Sequence, residues 1–572
     1  MSFAAAVESL NALGLELAPR SPRRKFDLAH MRALAAALGD PQTNFPSVLI
    51  AGTNGKGSTA ATLASILAAA GYRTGLYTSP HLERVTERIR ISEPAQSNVG
   101  APGASPLGTR DIAPQITDAV IPSDAEESAS PDPRSLFPVP CFTEIPEADF
   151  ARLYLLVDET GRRLVSEGRL PHPPSYFETL TALAFLYFAN AQPDGSFANP
   201  VDIAILEVGL GGRLDATNIV DPLLSVITDI ALDHQEYLGP TIADIAREKA
   251  GILRPGGTLV TLPQHPEANQ AIGEIAQEIA AQNALGLHAI NAAEYLPGRD
   301  FHTSVPGGPF MERSDMSGGV AAGFSLREAL PQGDRALALG LRPNHYDLSL
   351  SGQTLRVRSP LYGEHQQRNI ALAIASAVAL RNRDSYEISQ ISQTRNVSRY
   401  NITNSAIEAG ISHTSWPGRL EFLPPNLFLD VAHNPAGAWT LRAALASLPQ
   451  SQPRTLLFSC LRDKDLREMA QILFPLFDST TGGPQNQVRH HIVLAPVASP
   501  RAASLDELVA AARALDISAV PAHSSAEALD LARRLTPPGG LIVATGSIYL
   551  VGAVRALVGD IRTGPYRLNL SV

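Results

Sequence analysis

Ile50-Ala51-Gly52-Thr53-Asn54-Gly55-Lys56-Gly57-Ser58-Thr59 is the stretch on which the fold turns. Ahead of it, Pro46-Ser47-Val48-Leu49-Ile50 predicts a short buried strand. Behind it, Ser58 to Ala70 carries Ala, Leu and Ile at helical spacing. Strand, glycine-rich turn and helix form the layout of a phosphate cradle. Glycines let backbone N–H groups approach an anion, the helix N-terminus favours negative charge, and Lys56 adds a full cation. The run departs from the G-x-x-x-x-G-K-[ST] pattern: Ile50 stands where the first glycine belongs, and Gly57 separates Lys56 from Ser58. Alone it also fits an ordinary glycine-rich turn, so the rest of the chain decides.

Working outward, the same rhythm repeats. A helix is expected over 24–39, closed by Gly39, and a strand over 74–78 that runs into Ser79-Pro80-His81. Further strands are expected at 201–208, 224–230 and 258–262. Helices are expected from 150 to 165, from Pro174 to Asn190, at 241–253 and from Gly363 to Leu380. Strands alternating with helices predict a parallel sheet covered on both faces. The rhythm restarts after Trp416, with strands at 427–431, 455–459, 491–495 and 541–545 and five helices among them. The expected fold class is α/β: a P-loop-type doubly wound N-terminal domain, 1–414, and a smaller Rossmann-like domain, 415–572. Three Pro/Gly/Ser-rich or aperiodic stretches, near 94–140, 301–343 and 383–400, predict insertions.

The chain has 572 residues, 18% charged and 44% hydrophobic, with a net charge of −10. That balance is globular and disfavours non-specific nucleic-acid binding, while leaving room for a locally positive pocket. Two cysteines, Cys141 and Cys460, exclude a disulfide framework and a cysteine-based zinc ribbon. The start, Met1 to Leu17, predicts an amphipathic helix, not a signal peptide, and no run long enough to span a membrane follows. The cytosol is the expected compartment.

The candidate chemistry sits at strand ends. Gly52 to Ser58, Ser79, Glu207 and Asp233-His234 each follow a predicted strand, so topology gathers them on one edge of the first sheet. Ser58 or Ser79 can offer a hydroxyl to Mg²⁺, Glu207 a carboxylate and His234 an imidazole, while Lys56 and the cradle hold phosphates. Plainer readings compete: a serine cap, a Glu207–Arg213 ion pair, a polar loop histidine.

Taken with further segments, the chain resembles the folylpolyglutamate synthase/dihydrofolate synthase family, relatives of the Mur peptide ligases. The carrying segments are Ala51 to Thr59, Leu76-Tyr-Thr-Ser-Pro-His81 and Glu207-Val-Gly-Leu-Gly-Gly-Arg-Leu-Asp-Ala-Thr-Asn218. They continue with Thr228 to His234, Arg247-Glu-Lys-Ala-Gly-Ile252, Gly363-Glu-His-Gln366 with Asn369, Trp416-Pro-Gly-Arg419, Asp430-Val-Ala-His-Asn-Pro435 and Thr545 to Leu550.

The resemblance implies ATP held by Gly52, Thr53, Asn54, Gly55, Lys56, Gly57, Ser58 and Thr59. It implies a nucleotide contact at Asn369, a phosphate contact at Arg419, a ribose contact at Asp430 and His433 beside it. Ser79 and Glu207 match ligands of one Mg²⁺, and His234 matches a ligand of a second. Lys249 matches a lysine that becomes a carbamate, which requires a neutral, partly buried amine; the plain alternative is a surface lysine pairing Glu248 or Asp244. Lys56, Lys249, His234 and Arg419 are the expected catalytic set. The implied reaction joins L-glutamate to dihydropteroate or a reduced folate through an acyl phosphate, in a monomer. Residues 25–31 and the loop after Ser79 lie where the family holds the pterin. Val431 departs from the family glycine: either that turn needs no positive φ or its geometry has shifted. A Mur-type ligase and a nucleotide-driven switch are the alternatives, the first lacking room for its N-terminal substrate domain, the second having no use for Trp416 to Arg419.

Overall fold

The computed structural model describes residues 1–14, 27–93, 139–282, 286–297, 343–350, 352–383, 400–449, 451–478 and 490–563. The first sheet contains β1 (Ser47–Ala51), β2 (Thr74–Tyr77), β3 (Ile89–Ser92), β4 (Phe142–Glu144), β5 (Ile203–Glu207), β6 (Leu224–Ile227), β7 (Thr258–Thr261) and β8 (His288–Asn291). Its order is β4-β3-β2-β5-β1-β6-β7-β8. The cradle strand β1 is central, parallel to β5 on one side and β6 on the other. Every residue of β1 is buried, and alternate side chains serve opposite faces. Leu49 and Ala51 join the core built with helices Leu28–Ala37, Glu147–Ser166 and Tyr176–Phe188. Val48 and Ile50 join the core built with helices Lys56–Ala69, His365–Asn382 and Asn404–Ser412.

Register places the chemistry. Ile50 lies opposite Glu207, Ala51 opposite Ile227, and Tyr77 opposite Leu206. The loops that leave β1, β2, β5 and β6 therefore emerge side by side.

A two-stranded hairpin, β9 (Pro343–Leu350) and β10 (Gln353–Tyr362), links the first sheet's last described strand to helix His365–Asn382. The second sheet runs β11-β12-β16-β13-β14-β15. Its strands are β11 (Glu421–Leu423), β12 (Leu427–Leu429), β13 (Arg454–Phe458), β14 (His491–Leu494), β15 (Val520–Pro521) and β16 (Leu541–Thr545). All its pairings are parallel except β11–β12.

Several expectations need correction. The first sheet is not wholly parallel, because β3 and β4 add an antiparallel edge. The second expected insertion stops short of Pro343, which opens β9. Alternation of buried Leu348, Leu350, Leu355 and Val357 with exposed neighbours marks this hairpin. The third stops short of Tyr400, which is buried and stacks edge-on to Tyr72 at 5.1 Å. Helix Asn404–Ser412 follows, capped by Thr403. The stretches 94–138, 301–342 and 384–399 lie outside the described residues, as do 24–26 and 15–17 of the two expected N-terminal helices. No helix among the described residues is long and apolar enough to cross a membrane.

Candidate active site

The cradle is shaped by what presses on its glycines. A Cβ on Gly52 would lie 1.8 Å from Thr228 Oγ1, and one on Gly55 would lie 2.1 Å from Asn369 Oδ1. Gly55 also holds φ at 87° as the cap of helix Lys56–Ala69. The loop is pinned to the segment after β6. Thr53 and Asn54 donate backbone N–H bonds to Asp229 O (2.8 and 3.1 Å), and Thr228 Oγ1 donates to Asn54 O (2.7 Å). Arg368 in turn grips the Asp229 carboxylate with Nε, 2.9 Å from each oxygen. Ser58 lines the cleft, while Thr59 is fully buried with an unpartnered hydroxyl and does not reach it.

Two lysines converge beneath this loop. Lys56 Nζ donates to Gly52 O (3.0 Å) and Thr53 O (3.1 Å), and Lys249 Nζ donates to the same Gly52 O (2.8 Å). Lys249 is buried at the end of helix Ile242–Ala250. Its competitors for the plain surface reading are engaged elsewhere: Glu248 pairs Arg213 at 2.7 Å, and Asp244 caps its helix through Thr241. Burial and the neighbouring Lys56 charge lower Lys249 to about 7. Burial also lowers Lys56, against the pull of Glu207 and Asp233.

Glu207, at the end of β5, is buried and accepts the Ser79 backbone N–H at Oε2 (3.1 Å). Arg213 is thus not its partner. Burial raises Glu207, with Lys56 opposing. Asp215 closes a clasp on its own segment. It accepts from the N–H of Leu210 and from both the N–H and hydroxyl of Thr217, and burial raises it to about 6. Asn218 ties that segment to Arg213 O and Gly251 O (both 3.0 Å).

The second sheet reaches over this edge. Lys464, between β13 and helix Leu466–Leu473, donates to Asp233 Oδ1 (2.6 Å) and His234 Nε2 (3.1 Å), and its side chain is 5% exposed. Asn434 donates to Asn54 Oδ1 and Asp233 Oδ2 (both 3.2 Å) while its own oxygen caps helix Pro435–Ala446. Burial opposes ionisation of Asp233, yet Lys464, His234 and His433 hold it well below the usual carboxylate range. Burial and Lys464 lower His234 to about 3 and His433 to about 4. His433 bonds Val431 O through Nδ1 (2.8 Å).

Arg419 lines the cleft between Gly418 (φ 73°) and Leu420 (φ 47°), lowered by burial against Asp430 and Glu207. Asp430 is buried and spends both oxygens on the backbone N–H groups of Leu420 (3.0 Å) and Ala432 (2.9 Å). Val431 is absent from the positive-φ residues, so the turn needs no glycine there. Its side chain packs instead: a Cβ on Gly418 would meet Val431 Cγ1 at 3.0 Å. Asn369 donates to Gln366 Oε1 (2.8 Å) and faces Gly55.

One cleft of about 2080 Å³ collects these groups: Gly52 to Ser58, Ser79, Glu207, His234, Lys249, Asn369, Arg419, Asp430 and His433 all line it. Sequence reasoning missed Lys464 and Asn434. Asn434 stood inside a quoted segment as the residue before a helix-starting proline. Lys464, flanked by Asp463 and Asp465, falls in the first turn of a helix expected over 463–475 and carries no motif. Among the described residues no three His, Cys, Asp or Glu side chains form a ready metal cage. The Ser79 hydroxyl and Glu207 carboxylate are oxygen donors on the cleft wall and suit Mg²⁺. His234 and Lys249 fit less directly, since each holds another partner.

No family model matches the chain. The dihydrofolate synthase/folylpolyglutamate synthase of Mycobacterium tuberculosis is 31% identical, covering 94% of this chain and 92% of that protein. The Bacillus subtilis protein of the same name is 29% identical, over 93% and 94%. Among solved structures, M. tuberculosis folylpolyglutamate synthase complexed with ADP and AMPPCP superposes with a TM-score of 0.66 at 27% identity, covering 97% of this chain and 99% of that one. E. coli FolC in complex with DHPP and ADP gives 0.64 at 26%, over 98% and 99%.

Proposed function

The chain belongs to the dihydrofolate synthase/folylpolyglutamate synthase family, and we propose that its cleft joins the amino group of L-glutamate to a pterin- or folate-borne carboxylate, driven by ATP. The observation that carries the reading is one cleft with a phosphate cradle on one wall and the cations Lys464, Arg462 and Arg501 on the other. The substrate carboxylate attacks the γ-phosphorus of ATP, the bond to the β-phosphate oxygen breaks, and ADP leaves. The glutamate nitrogen then attacks the acyl carbon, loses a proton, and phosphate departs.

Each step asks for positioning and charge neutralisation. Lys56 and the cradle N–H groups take the phosphates, with Arg419 entering from the second sheet. Ser79 and Glu207 would hold a Mg²⁺ that neutralises charge on the β- and γ-phosphates. A second Mg²⁺ at His234 and a carbamate on Lys249 belong to the same proposal. A lysine at about 7 has the neutral fraction that reaction with CO₂ needs. Glutamate brings two carboxylates, which Lys464, Arg462 and Arg501 suit. Asn369, Asp430 and His433 are assigned to the nucleoside. The chain acts as a monomer in the cytosol, on dihydropteroate and on reduced folates, in two units divided near 414/415. The pterin is assigned to the end of the cleft lined by Asp27 to Met31, Tyr176 and Phe177.

The test is phosphate release in the presence of ATP. It is expected only when L-glutamate and either dihydropteroate or a reduced folate are both present. Release that ignores glutamate would overturn the reading in favour of a nucleotide-driven switch.

A further inference from the structure

A second cavity of about 470 Å³ adjoins the cleft and shares Leu28 and Arg213 with its lining. Three guanidinium groups line it, Arg32, Arg213 and Arg254, beside Asp221, Asn218 and Gly251. Arg32 lies one turn after Leu28 on helix Leu28–Ala37, exposed and without a hydrogen-bond or ion-pair partner among the described residues. Arg213 engages Glu248 through Nε and Nη2, leaving Nη1 without a partner among the described residues. Arg254 gives its terminal nitrogens to oxygens of Ile252, Leu253, Asn218 and Val220. Its Nε has only Asp221 nearby, at 3.9 Å, and Asp221 is 90% exposed. The cations feel one another: burial lowers Arg254, and Arg32 adds to that against Asp221.

Three forks with unused donors, set against two carboxylates, the Glu248 that pairs Arg213 and the solvent-exposed Asp221, leave one cation in excess and describe an anion site. The phosphates already have the cradle. The remaining anions in this chemistry are carboxylates. A folate carrying several γ-linked glutamates has one α-carboxylate per added residue, and these trail away from the end that reacts. We propose that Arg32, Arg213 and Arg254 form a subsite for an α-carboxylate of a γ-glutamyl tail. This inference rests on the ligase reading above and deepens it: it says where a lengthening substrate is held.

The test compares KM for a reduced folate with one γ-glutamyl residue and one with three, in the full chain and in Arg32→Glu and Arg32→Ala. Arg32 is exposed, so both variants should fold. The expected result is that Arg32→Glu raises KM for the triglutamate about tenfold more than KM for the monoglutamate, with kcat changed alike for both and Arg32→Ala intermediate. Equal changes at both lengths, or none, would overturn the subsite. Inorganic phosphate that binds the unmodified chain and not Arg32→Glu, with the triglutamate KM unmoved, would mark a small-anion site and overturn the tail assignment. Turnover of dihydropteroate with no extension of any folate would remove the tail subsite and leave the ligase reading standing. Ligation to neither would remove the ligase reading itself.

Discussion

The two walls of the cleft are built on different plans. On the first-sheet wall, Lys56, Lys249 and Glu207 stand on buried strand ends and helix termini, tied to backbone atoms a few ångströms away. On the second-sheet wall, Lys464 and Asn434 extend from loops and make their polar contacts across the gap, on Asp233, His234 and Asn54. The first wall is fixed by register and glycine packing. The second is held in place partly by the wall it faces. On the proposed reading, this division would suit a ligase that builds a water-sensitive acyl phosphate: phosphate chemistry on the fixed wall, and glutamate capture on the wall that faces it.

The largest effect should come from the rigid wall. Lys56→Ala removes the cradle cation and should lower kcat for phosphate release by about 10²–10³-fold, the scale for losing one preorganised group aimed at developing charge. The thermal midpoint should change little, because Lys56 bonds only two carbonyls of its own loop. Steady-state kinetics and a melting curve check both halves.

Lys464→Ala should act differently. Removing one member of a buried pair usually leaves the other charge stranded. Here Asp233 can regain water if the walls part, so the loss should appear as opening, not unfolding. KM for L-glutamate should rise roughly tenfold, about 1.4 kcal/mol, with a smaller change in kcat than Lys56→Ala gives, and small-angle scattering should report a larger radius. A fall in kcat as deep as that of Lys56→Ala would erase the distinction between the walls.

Acid should test both walls together. His81 and His234 are lowered to about 3, and His365 and His433 to about 4, in each case first by burial. Each is neutral in the folded chain while its unfolded counterpart, near 6.5, takes up a proton. Their contribution to stability is therefore fully present above about pH 6.5 and is lost as pH falls from there, towards 4 for His365 and His433 and towards 3 for His81 and His234, by up to about 1.4 kcal/mol per pH unit per histidine. Urea midpoints at pH 7, 6 and 5 should fall progressively. Flat midpoints would mean that these rings regain solvent on both walls.

The same contrast explains what could be seen in the sequence. The first wall was legible because its groups follow strands whose hydrophobic runs are strong: Val48 to Ile50 and Ile203 to Leu206 mark the ends where Gly52 and Glu207 must emerge. The plainer readings of Glu207 and Lys249 failed on facts a string of letters does not carry, namely that Arg213 turns to Glu248 and that helix Ile242–Ala250 buries its last lysine. Lys464 was not legible. A lysine between two aspartates at the start of an expected helix carries no motif, and only the placement of one sheet against the other gives it Asp233 and His234. The hairpin Pro343–Tyr362 was lost for a local reason: its exposed positions, among them His345, Asp347, Gln353, Thr354, Arg356 and Arg358, are polar, and it borders a Gly/Pro/Ser-rich stretch.

The smallest expected effect concerns what holds the second wall at its edge. Arg555, on helix Ile548–Thr563, bonds Glu83 in the loop after Ser79 and also Glu421, the first residue of β11. Burial works against its charge, but the two carboxylates raise it above the usual guanidinium range. The pair with Glu83 is half-buried, and salt screens what solvent reaches, so Arg555→Ala should cost only about 1 kcal/mol or less in stability. Its kinetic signature should be more specific. Leu82, beside Glu83, packs into the second-sheet core, and a Cβ on Gly552 would strike Leu82 O at 1.9 Å. The loop that carries Ser79 is thus already seated on the second sheet's core by packing. Arg555 adds only register, so KM for ATP and for glutamate should rise together by about twofold, with kcat retained and the difference shrinking in high salt. A tenfold loss in kcat would instead mean that the position of Ser79 depends on this ion pair, and that the second wall shapes the first.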